Sequence, residues 1–294
     1  MSEPTPVNLI TDEFENIEIF QHQVYPNVKT TVALFFIYIL SVLIVTVTGS
    51  VISMNIPRDA PVVRSIFKML LYAAPLLLVI SYALKRIKKQ QGYPLAISYN
   101  KIQRWLIPAL IVVAPALSIV LERTAAWIPM PNFVREMFAR MFMKDIFSII
   151  TATIAAPIIE ETLCRGIILQ GLLKNYSPGK AIVISAIFFS VIHLNPWQSI
   201  PAFFCGLFLG WIYSKTESII PGMILHAAIN TTGFVFLFLG GSKQYLPDIL
   251  GPIYYPALLT SVVTLASIGL LIYKRAGAIS QKPPSLPTNP QSLI

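Results

Sequence analysis

Charge is scarce in this sequence. Of its 294 residues only 12% are Asp, Glu, Lys or Arg, while 55% are hydrophobic and the mean hydropathy is +0.69. Soluble domains carry about 25% charged residues, so a water-soluble fold of this length could not cover its surface, and the expected solvent is a bilayer. Cysteine is nearly absent: Cys164 and Cys205 both lie in apolar segments, which excludes a disulfide framework. Internal repeats are lacking too, which argues against an inverted-repeat transporter. The net charge of +9 comes without a basic helix or aromatic-basic ribbon, so nucleic acid is not an expected partner.

What is present is a series of apolar runs. A membrane-spanning helix needs about 20 mostly apolar residues. Eight stretches qualify as candidates, at 31–53, 66–84, 105–121, 146–171, 180–196, 199–214, 219–240 and 254–273, with Asn195-Pro196 breaking the fifth from the sixth. The fold class expected is an all-α integral membrane protein, a bundle of about eight transmembrane helices. Between the third and fourth spans, Phe133, Val134, Met137, Phe138, Met141 and Phe142 oppose Arg135, Glu136, Arg140 and Lys144. That pattern predicts an amphipathic helix in the membrane interface.

The chain divides accordingly. Residues 1–29 form an acidic tail without the basic start and apolar core of a signal peptide. Residues 30–145 hold the first membrane helices and the amphipathic helix, and 146–240 a core that carries the polar residues. Residues 241–275 hold the last membrane helix, and 276–294 a Pro-rich tail expected to be disordered.

Lys and Arg fall unevenly between alternate connections. One side would hold Lys29, Lys85, Arg86, Lys88, Lys89, Lys101, Arg104, Lys174, Lys180, Lys215, Lys274, Arg275 and Lys282, thirteen in all. The other would hold Arg58, Arg64, Lys68, Arg123, Arg135, Arg140, Lys144 and Lys243, eight in all. The positive-inside rule then places both termini in the cytoplasm, with the plasma (inner) membrane as the expected location.

The fourth span contains Glu160, Glu161 and Arg165 in an otherwise apolar helix. Each costs about 2.5–3.5 kcal/mol at a helix centre on the insertion scale, so such groups must be paired or face water. Glu161 and Arg165, four residues apart with the acid first, can neutralise each other. Glu160 points about 100° away and has no partner in its own helix, which makes it a candidate proton acceptor.

Two of the three histidines, His193 and His226, also lie in apolar spans, whereas His22 sits in the polar tail. Phe189 precedes His193 by one turn, and Asn230 follows His226 by one. A carboxylate and an imidazole can activate a water, while an imidazole and a carboxamide can stabilise the resulting oxyanion. Alternatively, His193, His226 and Glu160 could ligate Zn²⁺, although the zincin signature His-Glu-x-x-His is absent. If Glu160 is the base, two histidines remain, fewer than the three protein ligands usual for zinc. A metal-independent mechanism is therefore expected. Cys164 is the weaker candidate nucleophile, since nothing in the sequence pairs it with a base.

These residues resemble the motifs of the CPBP family of intramembrane proteases, named for CAAX proteases and bacteriocin-processing enzymes and also called the ABI family. Glu-Glu-x-x-x-Arg matches Glu160-Glu161 to Arg165, Phe-x-x-x-His matches Phe189 to His193, and His-x-x-x-Asn matches His226 to Asn230. Gly206, Gly210 and Thr216-Glu217-Ser218 resemble the segment before the last motif. Cys164 stands where the family often has an aromatic residue.

The resemblance implies Glu160 as base with His193 as its partner on the water. His226 and Asn230 would stabilise the oxyanion, and Glu161 and Arg165 would hold the geometry. The function implied is an endopeptidase acting on membrane-associated or prenylated peptides, at a site sunk below the cytoplasmic face. Two other readings stand beside it: a non-proteolytic scaffold or bacteriocin-immunity partner, and a small transporter or proton pathway.

Overall fold

The computed structural model describes residues 24–125, 127–134, 136, 146–240 and 245–277. Eight long helices run through the described residues: α1 Val28–Met54, α2 Pro61–Gln91, α3 Leu106–Leu121, α4 Ile146–Asn175, α5 Pro178–Val191, α6 Pro196–Thr216, α7 Ile220–Gly240 and α8 Tyr254–Gly277. Each overlaps one apolar run of the sequence, so the protein is an all-α, multi-pass membrane protein. No strand occurs among the described residues, only the isolated bridge between Tyr99 and Ser218.

Six of the eight are long and apolar enough to cross a membrane, α8 together with the short helix Leu246–Leu250 that precedes it. The exceptions are α5 and α6, so eight is an upper reading of the span count. With 14 residues, α5 is about 21 Å long at 1.5 Å per residue, short of the roughly 30 Å hydrocarbon core. It packs on α6, where Gly206 lets the two backbones meet: a Cβ there would lie 3.1 Å from the Cα of Ala186.

Helix starts follow local chemistry. Asn27 caps α1 reciprocally, its Oδ1 accepting from the Thr30 amide at 3.0 Å while Thr30 Oγ1 accepts from the Asn27 amide at 2.8 Å. Pro61, Pro178 and Pro196 open α2, α5 and α6 at positions where no amide hydrogen is needed. Large apolar side chains remain exposed on the outer helices, among them Phe36, Leu43 and Val47 on α1 and Leu259, Val263 and Leu270 on α8. In a membrane protein these face lipid.

The two ends of the bundle differ. The start of α1, the end of α8 and the connections α2–α3, α4–α5 and α6–α7 meet at one end. There the Ile219 amide donates to the Ser98 carbonyl at 3.1 Å and Ser218 Oγ to the Asn100 carbonyl at 3.0 Å. Val24 donates to Asn175 Oδ1 at 2.9 Å, and the Arg275 guanidinium covers the Trp105 ring at 4.7 Å. The connections α1–α2 and α5–α6 and the described parts of α3–α4 and α7–α8 lie at the opposite end, where Trp197 Nε1 donates to the Ile128 carbonyl at 3.2 Å. The acidic tail up to residue 23, most of the amphipathic segment (135 and 137–145) and the Pro-rich tail from 278 lie outside the described residues.

Candidate active site

The polar centre is built on α4, whose winding is irregular. Ala156–Glu161 is α-helical, but π-helical turns flank it at Thr151–Ala155 and Thr162–Leu169. Such turns concentrate at functional sites. Glu160 and Glu161 sit on the last α turn and diverge to different partners.

Glu161 is wholly buried, and its Oε1 accepts from Arg165 Nη1 at 2.8 Å. The same oxygen meets His226 Nδ1 at 3.1 Å. Arg165 is equally buried. Its Nη2 donates to the Gly206 carbonyl at 3.0 Å, and its guanidinium lies over the Phe189 ring at 4.6 Å. Helix α7 reaches this pair only because position 222 lacks a side chain: a Cβ on Gly222 would stand 2.7 Å from Glu161 Oε2.

Glu160 is also buried but faces away from this pair. The sequence left it without a partner in its own helix; the structure supplies one from α2, where the Tyr72 hydroxyl donates to Glu160 Oε1. Its Oε2 makes no hydrogen bond and lies 3.9 Å from His226 Nε2.

The ring nitrogens are assigned by their partners. A carboxylate salt-bridged to Arg165 only accepts, so His226 carries hydrogen on Nδ1 and turns Nε2 toward Glu160. His193 Nδ1 lies 2.8 Å from the Phe189 carbonyl, another pure acceptor, which leaves Nε2 as its free nitrogen. The Phe189 ring separates the two imidazoles, meeting each edge-to-face at centroid distances of 5.2 and 5.4 Å.

His193 is not inside a span, contrary to the sequence reading. Helix α5 ends at Val191, and His193 occupies the turn before Asn195, which caps α6 by accepting from the Gln198 amide at 2.9 Å. The next residue, Leu194, has φ of 57°, a conformation that bulky side chains rarely adopt. Asn195 Nδ2 braces the turn by donating to the His193 carbonyl at 2.9 Å. Asn230, on α7, donates from Nδ2 to the Ala152 carbonyl at 2.7 Å, in the first π-helical segment.

A cavity of about 1110 Å³ is lined by Glu160, His193, His226 and Asn230 together with Tyr72 and Tyr38. Glu161, Arg165 and Phe189 stand behind its wall. Cys164 is wholly buried in the apolar core and does not line the cavity, which removes it as a nucleophile. Among the described residues, no three of His, Cys, Asp and Glu come together as a metal site.

Two residues of this site escaped the sequence reading. Tyr72 holds Glu160, and Tyr38 donates to the Ile192 carbonyl at 2.9 Å, tying α1 to the turn that carries His193. The available signal was a phenol at mid-helix, since a buried tyrosine hydroxyl needs a partner. In a hydrolytic centre of this kind, Tyr72→Phe is expected to lower turnover about tenfold with KM little changed, because the carboxylate loses its anchor. Steady-state kinetics on the reconstituted protein would check it; an unchanged turnover would show that Glu160 is held by other contacts.

Fold and site together define a polytopic helical membrane protein with a buried Glu–His–Asn centre, and the comparisons with known proteins agree with that class. Residues 142–232 match the family described as Type II CAAX prenyl endopeptidase Rce1-like, a stretch that contains all three motifs. The chain is also 31% identical over 81 residues to the UPF0177 protein YxdF of Lactococcus lactis subsp. lactis (strain IL1403). That alignment covers 27% of this chain and 44% of the relative, so the chain spans less than half the length of the curated protein it matches. No solved structure matches. The resemblance to CAAX-type membrane proteases therefore holds over α4 to α7, the helices that carry the polar centre.

Proposed function

We propose that this protein is an intramembrane endopeptidase that hydrolyses a peptide bond of a membrane-associated polypeptide with an activated water. The observation that carries the reading is the convergence of Glu160, His193, His226 and Asn230, each polar in apolar surroundings, on one cavity. Groups of this kind in a membrane are retained for function by default.

In this reading Glu160, backed by His193, takes a proton from a water in the cavity as the oxygen attacks the substrate carbonyl. The oxyanion receives hydrogen bonds from His226 and Asn230. Asn230 has spent one amide hydrogen on Ala152 and keeps the second. His226 has spent Nδ1 on Glu161, so it serves as donor only with a proton on Nε2. After attack, the proton gained by Glu160 neutralises the departing amine, and the site returns to its starting charge.

Glu160 cannot both ligate a metal and accept this proton. Without it two imidazoles remain, one fewer than the three protein ligands of a catalytic zinc site, so the mechanism is proposed to be metal-independent. The membrane proposed is the plasma membrane, with both termini in the cytoplasm on the strength of the Lys and Arg distribution.

The test is cleavage of a membrane-peptide library by protein reconstituted in liposomes, with products read by mass spectrometry. Defined cleavage products are expected from the native protein. Folded protein that cuts no member of a broad library would overturn the reading.

A further inference from the structure

We propose that the cavity receives its polypeptide from the non-cytoplasmic side of the membrane. The inference rests on the proposed hydrolase only for what the cavity does; its sidedness stands on geometry and charge.

Most of the lining of the cavity comes from one half of the bundle. Ser65 and Lys68 lie near the start of α2, Ser118 near the end of α3, Leu194 and Gln198 in the α5–α6 turn, and Leu237 near the end of α7. All of these positions adjoin the end opposite the start of α1 and the end of α8. The deepest lining groups, Glu160 and His226, lie nearer the middle of their helices, and exposed Lys68 and Leu194 mark the mouth.

Toward the start of α1 and the end of α8 the route is closed. Below Glu161, Leu163, Ile167, Ile168, Leu169 and Leu172 have no exposed surface. The segment 93–105 then lies across that end, hydrogen-bonded to residues 217–219 and, through the Ala96 carbonyl, to Gln170 Nε2 at 3.1 Å.

Charge gives the two ends their sides. Among the described residues the closed end carries twelve Lys and Arg, six of them in the 85–104 connection (Lys85, Arg86, Lys88, Lys89, Lys101, Arg104), against four at the open end (Arg58, Arg64, Lys68, Arg123). The positive-inside rule turns the closed end to the cytoplasm, so the mouth faces outward. The sequence reading combined cytoplasmic termini with a site below the cytoplasmic face, but the start of α1 and the end of α8 lie at the end of the bundle opposite the mouth. The substrate class that follows is a polypeptide whose scissile bond is exposed on, or dips in from, the outer leaflet. A chain lipidated and held on the cytoplasmic leaflet would meet the sealed end.

Single-cysteine variants of the full chain, treated in intact cells with a membrane-impermeant maleimide, test this without requiring proteolysis. The native thiols Cys164 and Cys205 are buried. Arg58→Cys reports the open end, Tyr93→Cys the closed end and Leu194→Cys the mouth, with Lys68→Cys as a second mouth position should the strained Leu194 turn not tolerate change. Labelling of positions 58 and 194 (or 68) in intact cells, with 93 labelled only after the membrane is opened, is the expected result. The reverse pattern would overturn the proposal, as would a mouth position labelled only from the side that labels 93, or from neither side. A cleavage assay that fails in vesicles whose labelling is as expected would count against the hydrolase reading and leave the sidedness intact.

Discussion

Glu160→Gln is expected to reduce peptide cleavage by about 10²–10⁴-fold, the range that general base catalysis contributes, while the amount of folded protein stays the same. Glutamine preserves the outline of the side chain, and its carbonyl still accepts from the Tyr72 hydroxyl that holds Glu160. What it loses is the ability to take a proton. The substitution also removes a buried charge whose Oε2 makes no hydrogen bond, so the bundle has no reason to unfold. Product formation in liposomes, compared with the thermal unfolding midpoint of the same preparation, separates the two effects. Retention of more than about a tenth of native cleavage, set against that general-base range, would assign the base to another group.

The neighbouring substitution should do the opposite. Glu161→Gln leaves Arg165 in the apolar interior without its counter-charge, and breaking a buried ion pair on one side costs about 3–5 kcal/mol. Little remains to hold the guanidinium: the Gly206 carbonyl, the face of Phe189, and an Nε that has no hydrogen-bond partner. His226 loses the acceptor of its Nδ1 hydrogen in the same step. A marked fall in unfolding midpoint and folded yield is expected, with cleavage lost in proportion. If Glu161→Gln and Glu160→Gln are equally stable and equally inactive, the division of labour between the two acids is wrong.

The motif residues could be read from the sequence because the membrane makes them conspicuous. Three ionisable groups within six positions of an apolar helix cannot be accidental where each is costly, and the four-residue spacing from Glu161 to Arg165 fixes a shared face. Tyr72 offered no comparable contrast. Tyrosine is ordinary in a membrane helix, and 88 residues separate it from Glu160, so only the packing of α2 on α4 brings them together. The break at Asn195-Pro196 was legible from cap and proline chemistry. The position of His193 outside the helix was not, because it depends on a leucine forced to positive φ. The π-helical turns of α4 were equally hidden, since apolar residues carry no local signal for a wider winding and tertiary packing decides it. The resemblance in sequence likewise stops near the polar helices, and α1 to α3 were visible only as apolar runs.

The buried cluster also bears on how the chain is made. Glu160, Glu161 and Arg165 enter the membrane in one helix, but most of their partners are synthesised later: the Gly206 carbonyl lies 41 residues beyond Arg165 and His226 lies 65 beyond Glu161. Until α6 and α7 emerge, Tyr72 on α2 is the hydrogen-bond partner already made for these charges outside their own helix. A nascent α4 released alone into lipid would carry Glu160 unpartnered and the Glu161–Arg165 pair facing lipid, so it should linger at the insertion machinery, or against α2, until the second half of the bundle closes around it. The residues that equip the finished protein for chemistry thus set the order in which its helices can leave the translocon.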